Sequence, residues 1–288
     1  MASATTPPAP APAAPPASRD ELRIVSHSNL FYWWPVWALA LMMSFLTWID
    51  GHFAAIVPAG SEPVADAEVR AQVGDKNVDF GKRDVIVLPK DIKLVTQDDK
   101  PQTLYLHMAN KRGYGVLFCI LLLLVIVITN VPLRGMWSVV VIITIIMLSI
   151  IFHLAGWWET ILRYLSFLDV RINMAGYLLI GLTLFTLWIL TMLLFDQNVY
   201  IVFTPGQLKV CQEIGGGEQV YDATGMTVEK HRSDLFRHWI LGLGSGDLIV
   251  KTSGAQAHHF DLPNVLFVGR KLAQIEELMK KKAVVATR

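Results

Sequence analysis

The sequence predicts an α-helical membrane domain of four transmembrane helices, followed by a C-terminal β-barrel or sandwich with a closing α-helix. Three observations predict it. Four stretches, 30–49, 113–133, 135–158 and 172–195, hold no Asp, Glu, Lys or Arg. From residue 198 onward, apolar and polar residues alternate with period two. After Pro263 that period gives way to helical spacing.

Composition points the same way. The 288-residue chain is 53% hydrophobic and only 17% charged, against about 25% charged for soluble globular proteins. Its net charge of +1 creates no global field, so nucleic acid is not an expected partner. Cys119 lies in an apolar run and Cys211 in a polar, strand-like stretch. Neither a disulfide between them nor a metal-ligand spacing is expected, and no cofactor is implied.

Residues 1–22 are read as a disordered Ala/Pro-rich tail, because such sequence buries too little apolar surface to offset its ordering entropy. The membrane domain then covers 23–197, with spans at 31–50, 113–132, 136–157 and 174–195. About 20 apolar residues cover the ~30 Å hydrocarbon layer, and backbone groups in lipid must pair internally, which dictates helix. Trp33, Trp34, Trp37, Trp137, Trp157 and Trp158 cluster near span ends, where amphipathic rings anchor at the headgroup level. Pro132 and Gly135 punctuate the second and third runs into a tight helical hairpin, with Arg134 at the interface.

The 58–112 loop is expected to be β-rich, with strands near 84–89, 92–95 and 103–108. Between the third and fourth spans, Ile161, Leu162, Leu165 and Leu168 stripe one side of a short amphipathic helix carrying Glu159 and Arg163. Four spans place both termini on one side. Lys111, Arg112, Arg163 and Arg171 set against Arg19, Arg23, Arg134 and Lys209 do not by themselves favour a cytoplasmic position for the termini.

In the C-terminal part, 198–288, strands are expected at 199–204, 207–214, 218–221, 227–231, 247–252 and 257–262. A helix is expected from Pro263 to about Lys282, with Leu266, Val268, Leu272, Ile275, Leu278 and Met279 on its apolar side. The stretches Val199-Tyr-Ile-Val-Phe-Thr-Pro-Gly-Gln-Leu, Val228-Glu-Lys-His-Arg-Ser-Asp-Leu-Phe-Arg-His and Leu241-Gly-Leu-Gly-Ser-Gly-Asp-Leu-Ile-Val-Lys-Thr resemble the bacterial pleckstrin-homology-like domain. Tyr221-Asp-Ala-Thr-Gly-Met departs from that family's usual pattern. The resemblance implies a binding or scaffolding module in a bacterial cytoplasmic membrane, with N- and C-termini cytoplasmic. It supplies no catalytic residue.

Candidate chemistry is sparse. Gly242, Gly244 and Gly246 stand at i, i+2 and i+4 ahead of a strand, which reads as a turn and not as a dinucleotide loop. His258 and His259 are adjacent on a strand, so their side chains point to opposite faces. His153 and Asp50 lie near span ends, where an interfacial position is expected. Lys230, His231, Arg232, Arg237 and His238, interleaved with Phe236 and Trp239, form the densest basic cluster, and 280–282 a second. Close to a bilayer, each Lys or Arg facing anionic headgroups contributes about 1 kcal/mol. Lys230, His231, Arg232, Arg237, His238 and Trp239 are therefore the candidate lipid- or partner-binding residues.

The expected function is a non-enzymatic integral membrane protein presenting this domain to a protein partner, a further copy of itself or an anionic lipid headgroup. A small transporter or channel regulated by the domain is the alternative. Its path would rest on Thr144, Ser149, Thr183, Thr186 and Thr191. A membrane enzyme would require Asp50, His52, His153 or Glu159 to converge.

Overall fold

The structure, a computed structural model, describes residues 21–54, 57–90, 96–97, 100–101, 106–111, 113–131, 135–212, 217–232, 234–253 and 257–285. The stretch 1–20, the strand expected at 92–95, the first half of that at 103–108, and Arg134 lie outside these residues.

In chain order, β1 (Leu22–Val25) leads through a 3-10 turn, Asn29–Trp33, into α1 (Trp34–Asp50). The insert holds β2 (Phe53–Ala54), β3 (Glu62–Val73), β4 (Lys76–Val87), β5 (Thr96–Gln97), β6 (Lys100–Pro101) and β7 (Leu106–His107). Then come α2 (Gly113–Asn130), α3 (Met136–Leu154), α4 (Trp157–Ser166) and α5 (Met174–Leu190). A π-helical turn, Thr191–Phe195, and a 3-10 turn, Asp196–Asn198, extend α5. The C-terminal strands are β8 (Val199–Thr204), β9 (Gln207–Gln212), β10 (Gly217–Asp222), β11 (Thr227–His231), β12 (Gly246–Lys251) and β13 (His259–Val265), and α6 (Val268–Val285) closes the chain.

Among the described residues, four helices are long and apolar enough to cross a membrane: Asn29–Asp50, Gly113–Asn130, Met136–Leu154 and Met174–Asn198. Pro35 falls in the first turn of α1, where its missing N–H costs least. Two buried threonine hydroxyls are satisfied within their own helices. Thr47 donates to the Met43 carbonyl at 2.7 Å and Thr129 to that of Val125 at 2.7 Å.

The chain divides into two compact units. One comprises Met1–Ala38, Ile120–Thr160 and Thr183–Arg288; the other comprises Leu39–Cys119 and Ile161–Leu182. In the second unit α1 and α5 approach closely, because Gly181 leaves room for Leu41 and Ala40. Ser44 Oγ donates to the Met174 carbonyl at 3.1 Å, and the Phe118 and Tyr177 rings meet edge-on at 5.5 Å. Asp50 Oδ2 accepts the Asn110 N–H at 2.6 Å, and β2 pairs with β7, so the base of the insert is closed by backbone bonds. Beyond that base, β3 and β4 form a long antiparallel ribbon. β3 was not expected: residues 62–73 alternate small and charged side chains without a marked apolar face.

The first unit contains the β-rich head. One sheet runs β1-β8-β9-β10 and the other β11-β12-β13, all neighbours antiparallel. A single core joins them: Ile24, Ile201, Phe203, Leu208, Leu248, Val250, Leu262, Val265, Val268 and Ile275 are all buried together. Two features differ from expectation. The strand preceding α1 belongs to this head: Leu22 pairs with Phe203 and Val25 with Tyr200. Arg23 fixes it further, donating to the Gln197 carbonyl at 2.6 Å and lying 3.6 Å over the Tyr200 ring. The terminal helix also starts later. Pro263 is inside β13, and helix begins at Val268, after Asn264 and Phe267 adopt left-handed backbone with φ of 58° and 50°. Pro263 signals the end of the ladder here, not a helix start, since an edge strand tolerates a missing N–H.

Candidate functional site: the joint between head and first span

A buried polar knot ties the head to the start of α1. Tyr32, in the 3-10 turn, is fully buried, and its hydroxyl donates to Asn264 Oδ1 at 2.8 Å. The same hydroxyl lies 3.1 Å from Ser245 Oγ and 3.2 Å from His238 Nδ1. Asn264 uses its amide to donate to the His27 carbonyl at 2.8 Å and its backbone N–H to donate to Asp247 Oδ1 at 3.0 Å. The left-handed backbone of Asn264, in a bulged stretch of the β12–β13 ladder, turns its amide toward this knot. His27 Nδ1 pairs with Asp196 Oδ2 at 3.1 Å, which brings in the end of the fourth span. Indoles complete the joint: Trp34 donates to the Leu241 carbonyl at 2.8 Å and Trp188 to that of Phe31 at 3.1 Å.

The glycine run explains how the chain fits under Tyr32. A Cβ on Gly242 would meet Tyr32 Cε1 and the Arg237 carbonyl, each at 2.8 Å. The run is thus a turn whose missing side chain makes space for a ring.

The basic cluster is not a continuous patch. Among the candidate residues, Arg237 and His238 turn inward on a π-helical turn, Phe236–Leu241. His238 is buried, with Nε2 3.4 Å from Asp247 Oδ2, a close approach without good hydrogen-bond alignment. Arg237 lies 3.9 Å from Asp247 and 4.0 Å from the buried Asp234. Burial alone would raise the Asp247 carboxyl. The His238 ring, the Asn264 N–H and the Arg237 charge outweigh it and hold that carboxyl below the usual range. The Arg237 charge is therefore already set against two carboxylates within the head, and the His238 ring is buried beside one of them.

Lys230 and Arg232 remain exposed, with Arg232 donating to the Gly244 carbonyl at 2.9 Å. His231 faces Glu229 at 3.5 Å, and Glu229 also accepts from Lys251 at 3.0 Å. Those hydrogen bonds, from Lys251 first, hold the Glu229 carboxyl below its usual value. Trp239 is 72% exposed. The side chains of 281 and 282 lie outside the described ones.

The indoles divide too. Trp34 and Trp37 are spent on protein: Trp37 packs against the rings of Phe185 and Trp188 at 4.9 and 5.6 Å. Trp33 is half-buried, whereas Trp137, Trp157 and Trp158 face outward. Span hydroxyls of the transport reading are engaged locally, Thr144 donating to Val140 and Thr191 to Leu187 at 2.8 Å each. His258 lies tilted against the Tyr221 ring at 4.8 Å, while His259 pairs with Asp261 at 3.1 Å. Among the described residues no group of three or more His, Cys, Asp or Glu side chains gathers to hold a metal ion. Cys119 and Cys211 are both unpaired.

Sequence reasoning missed the joint because its members lie 157 to 237 residues apart. Trp34, assigned to an anchor belt, and the glycine run, read as a turn, were the marks it left in the sequence. No family model matches the chain, and neither the curated proteins nor the solved structures offer a match.

Proposed function

We propose that this chain is a non-enzymatic membrane-anchored scaffold, whose pleckstrin-homology-like head is held in a fixed pose at the cytoplasmic face of a bacterial membrane and binds a protein partner. Four strands facing three, with one closing helix, support the likeness to that family. The observation that carries the partner reading is β10. It is an edge strand, exposed along nearly its whole length, with Val220 outward. An unpaired edge offers a row of backbone donors and acceptors, which extended segments of other chains use for strand addition. The inward turn of Arg237 and His238 argues against anionic headgroups as the main ligand, since the Arg237 charge is spent on Asp234 and Asp247 and the His238 ring is buried.

A photoreactive residue in place of Val220, in the full-length chain in native membranes, tests this reading. One discrete adduct, competed by the unlabelled chain and absent when the probe replaces Lys230, is the expected result. Labelling of lipid alone, or no adduct, overturns it.

A further inference from the structure

The π-helical turn Phe236–Leu241 has two dissimilar sides. Its inner side is fastened to the first span: the Leu241 carbonyl accepts the Trp34 indole N–H at 2.8 Å, and His238 Nδ1 lies 3.2 Å from the Tyr32 hydroxyl. Tyr32 and Trp34 both belong to the helix Asn29–Asp50 that is long and apolar enough to cross a membrane. The turn therefore lies at the depth of that span's first turn. Its outer side carries Trp239, Ile240 and, just beyond, Leu243, which are 72%, 52% and 62% exposed. Three large apolar side chains in one short segment make an exposed patch that needs a covering phase.

Two further observations say what covers it. Phe236, Trp239 and Ile240 form one wall of a cleft of about 520 Å³ whose other wall is Ile142, Ile145 and Ile146 of α3. The lining is apolar throughout, and α3 is itself one of the four apolar spans, with Ile143 and Ile150 exposed alongside. The patch is thus continuous with a surface that fits hydrocarbon. Leu243 also sits in left-handed backbone, with φ of 50° between two glycines. That conformation is uncommon for a bulky residue and would suit glycine better, so a leucine there asks for a contact that offsets the strain.

We infer that 235–243 is a lipid-inserted wedge of the head, with Trp239, Ile240 and Leu243 among acyl chains of the leaflet that the first span enters. The inference rests on the reading that the four helices cross a membrane, and it is independent of which partner the head binds. A tryptophan beside Ile240 and near Leu243 suits that boundary, where one end of the ring is apolar and the other wet.

The test uses the full-length chain with Cys119→Ala and Cys211→Ser, reconstituted in phosphatidylcholine vesicles. A nitroxide is placed at Trp239→Cys or, separately, Leu243→Cys, with Leu179→Cys on α5 and Lys230→Cys on β11 as references. Collision with oxygen, which concentrates in lipid, is compared with collision with a water-soluble nickel complex. Both wedge labels are expected to favour oxygen as the 179 label does. Nickel-dominated collision like that at 230 overturns the inference, and so does shielding from both reagents, which would mean protein covers the patch. If the 179 label also reads as water, the membrane reading has failed and the wedge falls with it.

Discussion

The Tyr32 hydroxyl donates to Asn264 Oδ1 at 2.8 Å across 232 residues of sequence, inside a site closed to solvent. One oxygen thereby ties the entrance of the first span to the end of the last strand. An unmade hydrogen bond in such a place costs about 1–3 kcal/mol, because the remaining partner keeps its desolvation penalty. In Tyr32→Phe, His238 and Ser245 still face one another at 3.3 Å, but Asn264 Oδ1 loses its donor. The variant is expected to melt several degrees lower in detergent micelles, followed by near-ultraviolet circular dichroism. Tyr164→Phe, which alters an exposed ring, should leave the midpoint unchanged.

A second expectation concerns the extent of the head. Ile24 is fully buried in the same core as Ile201, Phe203 and Ile275, and β1 covers the edge of β8. Losing such a side chain costs about 2–5 kcal/mol. Residues 198–288 alone should therefore give broad amide resonances and fast hydrogen exchange, with β8 unprotected. Fusing 21–28 to that fragment through a flexible linker should sharpen the spectrum and protect β8. A well-ordered spectrum from the shorter fragment would show that β1 is dispensable.

These two relationships separate what the sequence discloses from what it hides. The spans were legible because hydrocarbon imposes a length and excludes charge, so residues such as Val140–Ile146 can be read one window at a time. Strands β8, β9, β11 and β12 were legible from alternation, which is also local. β1 was hidden because four residues beside a Pro-rich tail carry no periodic signal, and their burial depends on a partner far along the chain. The inward turn of Arg237 and His238 was hidden for a related reason. Charge clusters are counted along the sequence, whereas Asp247 reaches them from a neighbouring strand.

Acid should expose the Asp247 contacts. Its carboxyl is held below the usual range, so the folded head binds that proton less readily than the unfolded chain. The resulting stability is present above the unfolded aspartate value of about 4 and is lost as pH falls through the lower folded value. The full-length chain is expected to lose melting temperature progressively below about pH 4. Asp247→Asn should melt lower than the unmodified chain at neutral pH and show a shallower acid limb, so that the two curves converge. Parallel curves would mean that Asp247 is not a source of the acid sensitivity.

Within the membrane-spanning part, the close approach of α1 and α5 depends on one missing side chain. A Cβ on Gly181 would sit 2.8 Å from Leu41 Cδ2 and 3.2 Å from Ala40 Cβ. Small residues at such crossings let backbones meet, and packing is the main attraction between helices in lipid. Gly181→Ala should be tolerated with a modest loss, since the Leu41 side chain can rotate away. Gly181→Leu adds a bulk that rotation cannot absorb, at a cost of about 1–3 kcal/mol or more, and it should separate the helices. The pair Ser44→Cys and Met174→Cys, introduced with Cys119→Ala and Cys211→Ser, reports the spacing through disulfide formation in membranes, because Ser44 Oγ lies 3.1 Å from the Met174 carbonyl. The cross-link should form readily with Gly181 present, fall slightly with alanine and be largely lost with leucine. Undiminished cross-linking in Gly181→Leu would mean that α1 and α5 are held together elsewhere along their length, and that the glycine is incidental to their packing.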